Sequence, residues 1–209
     1  MGNSSIEDNP VQQRILEAAR QLFTQQGYAN TNMREIAERA NVNKGLIHYY
    51  RWNKRKLFME VFQETFADFS QQASALFAAE SALPVKIEGF VESYTTFLLE
   101  NPHVPGFVIN ELNINPESFI QQLMGNLTPP NPMPFLAQFR EELEAGKIRP
   151  VDPLHFFLHL LSMCVFPFLV RPMFQSIFHI SPQYYDKMLA NRKKEIVDFA
   201  LSALYPAEA

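Results

Sequence analysis

Between Arg14 and Phe58 the apolar residues keep helical spacing while helix-stopping and helix-starting residues interrupt them, and this alternation leaves the segment few ways to fold. Ile15, Leu16, Ala18, Ala19, Leu22 and Phe23 follow the i, i+3, i+4, i+7 pattern of an amphipathic helix running from Arg14, which Gly27 ends. Asn32 with Glu35 three residues later forms a capping-box arrangement. It predicts a short second helix with Met33, Ile36, Ala37 and Ala40 on its apolar face. Asn41-Val42-Asn43 is turn-like, and Asn43 can cap a third helix from Lys44 to about Tyr50. Two short helices joined by a three-residue turn have helix-turn-helix geometry. A fourth helix begins near Asn53, because Leu57, Phe58, Val61, Phe62, Thr65, Phe66 and Phe69 hold helical spacing towards Ala79.

Charge separates this segment from the rest. The formal net charge of −4 conceals an asymmetry: residues 1–58 hold nine Lys or Arg against five Asp or Glu, giving +4, and residues 59–209 hold nine against seventeen, giving −8. A polyanion would bind the basic part. In a helix-turn-helix the second helix of the pair enters the major groove while other groups hold phosphates. Lys44 lies at the groove end of that helix, and Gly45 leaves space for close backbone approach. Tyr49, Tyr50 and Lys54 can bond phosphate oxygens, and His48 can serve either task. Arg34 can reach a phosphate, or a guanine edge bidentately.

The remaining chain reads as further helices, with no strand pattern or repeat. Pro84 opens a helix carrying Ile87, Phe90, Val91, Tyr94, Phe97 and Leu98 on one side, and Asn101-Pro102 ends it. Helical patches at 106–112, 117–127 and 135–145 are broken by Pro129, Pro130, Pro132 and Pro134. Asp152-Pro153 starts an apolar helix over 152–178, kinked or split near Pro167 and Pro172, and Pro182 opens a last helix to Leu204. The apolar run Phe156 to Val170 is too short for a bilayer, which needs about 20 residues, so a buried helix and no membrane association are expected. With 19 Phe against 7 Gly, the interior is expected to be helical and filled by large apolar side chains. The start, Met1 to Ile6, lacks a leader pattern and has Ile6 where an acylation signal wants Ser or Thr. The lone Cys164 forms no internal disulfide, so a cytoplasmic setting follows.

The ordered stretch from Asn32 to Tyr50, with Asn53, Lys54 and Leu57 after it, closely resembles the signature of the TetR family of transcription regulators. The resemblance covers roughly residues 10–60. It implies an all-α fold: an N-terminal three-helix helix-turn-helix DNA-binding domain, 10–58, plus a larger C-terminal helical ligand-binding and dimerisation domain, 59–209, with about nine helices. Carried over by position, it places DNA contacts at Arg34, Lys44, Gly45, Leu46, His48, Tyr49, Tyr50 and Lys54, and packing at Ile36, Ala37, Val42 and Ile47. Asn32, Asn41 and His48 stand where the family has Thr, Gly and Tyr. Arg51 stands where the family has Phe or another apolar residue, with Trp52 at the next, usually polar, position; the expectation is that Trp52 packs while Arg51 turns outward and adds a phosphate contact, giving a basic run with Lys54, Arg55 and Lys56.

The resemblance further implies a homodimer through helices 152–178 and 183–204 on double-stranded DNA with a palindromic operator, and repression relieved by a small hydrophobic or amphipathic effector. Polar groups interrupting apolar helices mark the candidate ligand pocket: Glu111, His155, His159 and Arg171, beside Phe66, Phe97, Phe107, Phe139 and Met163. Cys164 and His159 lie five residues apart with no orienting third group, so no catalytic site is read, and the apolar neighbours of Cys164 argue against a redox sensor. No metal-ligand spacing or cofactor motif is read. Two rival classes are a DNA-bound protein-interaction module acting outside transcription and a helical enzyme.

Overall fold

Helix ends decide where this chain turns. The computed structural model describes residues 10–126 and 129–205; residues 1–9, read above for leader and acylation signals, and Leu127, the predicted end of one helical patch, lie outside them. Among the described residues there are ten helices: α1 (Pro10–Asn30), α2 (Met33–Arg39), α3 (Lys44–Tyr49), α4 (Lys54–Ala78), α5 (Leu83–Glu100), α6 (Val104–Ile114), α7 (Pro116–Asn126), α8 (Met133–Glu144), α9 (Pro153–Phe178) and α10 (Pro182–Leu204). They form two compact units, the first ending at Phe66 and the second starting at Ala67.

In the first unit Gly27 breaks α1, as its sequence position predicts: φ 80° and ψ 167° are not helical, and its carbonyl accepts from the Thr31 amide and hydroxyl at 3.2 and 2.8 Å. Ile15, Ala19, Leu22 and Phe23 of α1, Ile36 and Ala37 of α2, Ile47 of α3 and Leu57 and Phe58 of α4 form the core. Phe23 meets Phe58 edge-on at 4.9 Å, and Arg20 pairs with Glu64 to hold the first turns of α4 against α1.

The core of the second unit is largely aromatic. Phe77 lies 5.3 Å from Phe90 and 5.4 Å from Phe135, while Phe139 packs 5.1 Å from Phe156. Beside these rings the Lys86 side chain is buried, 4% exposed, and its Nζ donates to the Phe77 carbonyl at 2.8 Å. That carbonyl lies in the last turn of α4, where no amide further along the helix can reach it and where a cation is favoured.

The sequence expectation for 152–178 needs correction. Pro167 and Pro172 neither split nor end α9, which runs unbroken, and its apolar residues are not all buried. Phe156, Leu160, Cys164 and Pro167 face inward, while Leu154, Leu158, Phe166, Met173 and Ile177 are each more than half exposed along the other side. By length and composition α9 is long and apolar enough to cross a membrane, and 28% of its most apolar stretch is buried. At Pro167 the helix continues with a donor supplied from α10. The Met163 carbonyl, deprived of its partner by the missing N–H of Pro167, accepts from Arg192 Nε at 3.2 Å. Tyr185 donates its hydroxyl to the Pro167 carbonyl at 2.7 Å.

Removing the Lys86 ammonium strands the Phe77 carbonyl and opens a cavity. Lys86→Ala is therefore expected to cost about 2–4 kcal/mol in urea unfolding, and Lys86→Met, which keeps the volume, distinctly less. Burial pushes the Cys164 thiol up to about 11, outweighing the Thr95 hydroxyl and the Arg192 charge. At pH 7–8 the folded protein should keep this thiol protonated and react with a thiol reagent orders of magnitude more slowly than the urea-unfolded chain.

Candidate nucleic-acid interface

Three asparagines position the helices of the basic segment. Asn32 accepts from the amides of Arg34 and Glu35, both at 3.0 Å, and the Asn32 amide donates to the Glu35 carboxylate at 3.4 Å, completing the predicted capping box. Asn43 accepts from the Gly45 amide at 2.8 Å and starts α3; Asn53 accepts from the Lys56 amide at 2.8 Å and starts α4. A Cβ on Gly45 would sit 3.3 Å from the capping oxygen of Asn43, so this glycine serves the cap as well as leaving the surface low.

The reversals on either side of α3 share one geometry. After α2, Asn41 has φ 52°, its amide bonds Glu38 O, and the Val42 amide bonds Ala37 O. After α3, Arg51 has φ 56°, its amide bonds His48 O at 2.8 Å, and the Trp52 amide bonds Ile47 O at 3.3 Å. Both are Schellman turns with a left-handed residue just past the cap. Asparagine tolerates that conformation; arginine is a less expected occupant.

With Ile47 fully buried, α3 presents Lys44, Gly45, His48 and Tyr49 to solvent, with Leu46 and Tyr50 half-buried. Tyr49 is 79% exposed although apolar in its ring, and a Tyr49, Tyr50, Trp52 ladder runs at centroid spacings of 5.5 and 5.6 Å. Trp52 is half-buried and Arg51 exposed, the division expected from the sequence. Arg34 is exposed and held by Glu38 at 2.8 Å, which raises the pKa of its guanidinium. Lys54 is engaged inside the unit: its Nζ donates to the Ala29 carbonyl at 3.1 Å and lies 4.6 Å from the Tyr28 ring centre, and desolvation lowers its pKa against the opposing pull of Glu35. Its role in closing the end of α1 carried no signal in the sequence, because Ala29 lies twenty-five positions away.

The residues singled out as a ligand pocket are dispersed. Phe66 belongs to the first unit, 5.2 Å from Phe62. In the second unit Phe97, Phe107, Glu111 and Phe139 are buried, Phe97 stacking on Phe69 at 5.2 Å and Phe107 meeting Phe119 at 6.2 Å. His155 and His159 are exposed on the outer side of α9, their rings 6.4 Å apart. Arg171 pairs with Asp186 at 2.8 Å and lies over the Tyr185 ring, joining α9 to α10. Met163 lines an open cavity of about 630 Å³ with Arg192, Ile196 and Phe199.

Comparison with known proteins agrees with this geometry. The model of "Bacterial regulatory proteins, tetR family" matches residues 15–61, which take in most of α1, all of α2 and α3, and the start of α4. The chain is 29% identical to the uncharacterized HTH-type transcriptional regulator YhgD of Bacillus subtilis over 66% of this chain and 72% of that one. It is 24% identical to the probable HTH-type transcriptional regulator YttP of the same organism over 84% and 86%. In fold it is similar to a regulatory protein in the tetR family from Rhodococcus RHA1, with TM-score 0.65, 21% identity, and 96% and 100% of the two chains covered. A TetR/AcrR-family regulator from Thermobifida fusca matches with TM-score 0.60, 17% identity, and 91% and 98% covered. Residues 15–61 thus match the tetR family of bacterial regulatory proteins, and the chain is similar over most of its length to helix-turn-helix regulators of transcription.

Proposed function

We propose that this regulator acts in the cytoplasm as a homodimer that occupies a palindromic operator, represses transcription there, and is released by a small hydrophobic or amphipathic effector. The observation that carries the reading is α3: a short helix anchored by Ile47, capped at both ends, and bare of any covering element over Lys44, His48 and Tyr49. Direct base contact is assigned to Lys44, Leu46 and His48 with close approach at Gly45, and backbone contact to Arg34, Tyr49, Tyr50 and Lys54. Arg34 must exchange Glu38 for phosphate, and the Lys54 contact must coexist with or replace its bond to Ala29.

The second unit supports dimerisation through α9 and α10. A membrane-spanning helix would be apolar all round, whereas one side of α9 packs on its own core and the stripe opposite carries His155, His159 and Ser162 among its apolar residues. A second copy covers such a stripe well. Phe199 of α10 is 65% exposed, and the cavity beside it offers a recess for a side chain of the partner. For the effector, the core of the second unit holds the stacked rings of Phe69, Tyr94 and Phe97, with Tyr94 5.1 Å from Phe69, an apolar cluster that carries one hydroxyl. An effector that prefers the DNA-incompetent state on the order of 100-fold shifts the equilibrium by about 2.7 kcal/mol.

In vitro selection from a random duplex pool should enrich an inverted repeat. Enrichment of no sequence, or of an isolated half-site only, would overturn the dimeric-operator reading. Lys44→Ala and Tyr49→Ala should keep wild-type thermal stability and weaken binding to the selected duplex by roughly tenfold or more. Phe166→Glu changes a residue that is 58% exposed in the single chain, so it should fold yet elute as a monomer in size-exclusion chromatography and lose operator binding. A Phe166→Glu protein that remains dimeric would place the dimer interface elsewhere.

A further inference from the structure

Asn41, Arg51 and His179 are the non-glycine residues with positive φ among the described residues. A left-handed conformation brings Cβ against the neighbouring carbonyl, a cost that asparagine meets through local bonds of its short amide and that glycine escapes altogether. Arginine has neither remedy. Arg51 is exposed, so burial does not offset the strain, and no ion pair or hydrogen bond engages its guanidinium among the described residues. Glycine at this position would close the same Schellman turn, with the bonds from residues 51 and 52 to His48 and Ile47 unchanged. The backbone therefore gains nothing from arginine here. Strained residues kept without a local return concentrate at functional sites, and here what arginine offers is its charge.

We infer that Arg51 is a further phosphate contact, a guanidinium held beside the recognition helix to grip the DNA backbone; the inference rests on the DNA-binding reading of α3. Position supports it. Arg51 follows the cap of α3 directly and precedes the Asn53-capped start of α4, and residues 51–58 hold Lys54, Arg55 and Lys56 with no acidic residue to compete. The Schellman turn fixes where the Arg51 Cα points, so less freedom is lost on binding, and the planar fork of arginine matches phosphate oxygens two at a time. A phosphate contact acts on any sequence, which allows a test before the operator is known.

The test uses the full-length protein, a fluorescein-labelled duplex of arbitrary sequence about three helical turns long, and anisotropy titrations across a salt series. Arg51→Gln keeps the strain and removes the charge; Arg51→Gly removes both. Both variants should bind more weakly, and the slope of log affinity against log salt should flatten by about 0.9 per protomer. Arg51→Gly alone should melt higher, by about 2–4 °C for each kcal/mol of strain released. Wild-type affinity and slope in Arg51→Gln would overturn the inference, as would an Arg51→Gly protein that melts no higher than wild type. If the wild-type protein shows no salt-dependent binding to duplex DNA while the selected operator also fails, the reading of α3 itself falls, and with it the inference.

Discussion

Two left-handed residues hold α3 in place. Asn41 and Arg51 each lie just past a helix cap and send the next amide back to a carbonyl one turn inside the helix that has ended. The direction of α3 is thus set by backbone hydrogen bonds at both ends, with Ile47 as the one fully buried side chain between them. A six-residue helix is too short to be stable alone. Its order comes from these turns, from the Asn43 cap and from Ile47, which leaves Lys44, His48 and Tyr49 free of structural duty. The same turn, with Gly146 in the left-handed position, ends α8.

The second unit solves a different problem. Its rings from α4, α5, α8 and α9 bury one another, and Lys86 is admitted to that interior because a helix-end carbonyl awaits it. The outer side of α9 has no such cover within the chain. A stripe of large apolar side chains left exposed on a helix whose other side is firmly packed is what an association surface looks like before association.

The capping box at Asn32, the turn at Asn41 to Asn43, and the starts near Asn53, Pro84 and Pro182 were legible because helix-end chemistry is local in sequence. The long apolar helix was misjudged for the opposite reason. Proline was read as a break because nothing nearby in sequence could satisfy the carbonyl that Pro167 strands, and the donor, Arg192, lies on another helix. Burial was overestimated there because an apolar run does not distinguish a core from a face. At the reader, the outward turn of Arg51 was legible from its exchange with Trp52, but its left-handed backbone was not, since arginine carries no turn signal. Lys54 was equally opaque, its partner being a carbonyl at the far end of α1. The pocket candidates scattered because polar interruptions of apolar helices arise for several reasons: Arg171 joins two helices, and His155 and His159 belong to an outer face.

The bond from Arg192 to the Met163 carbonyl does more than rescue a proline. Together with Tyr185 on the Pro167 carbonyl and Arg171 on Asp186, it fastens α10 to α9 at three successive levels. Sliding either helix along the other by even one residue would leave the Met163 carbonyl without its donor and pull the tyrosine from its acceptor. The three links therefore fix the register of α9 against α10, and with it the register of any interface built on the pair.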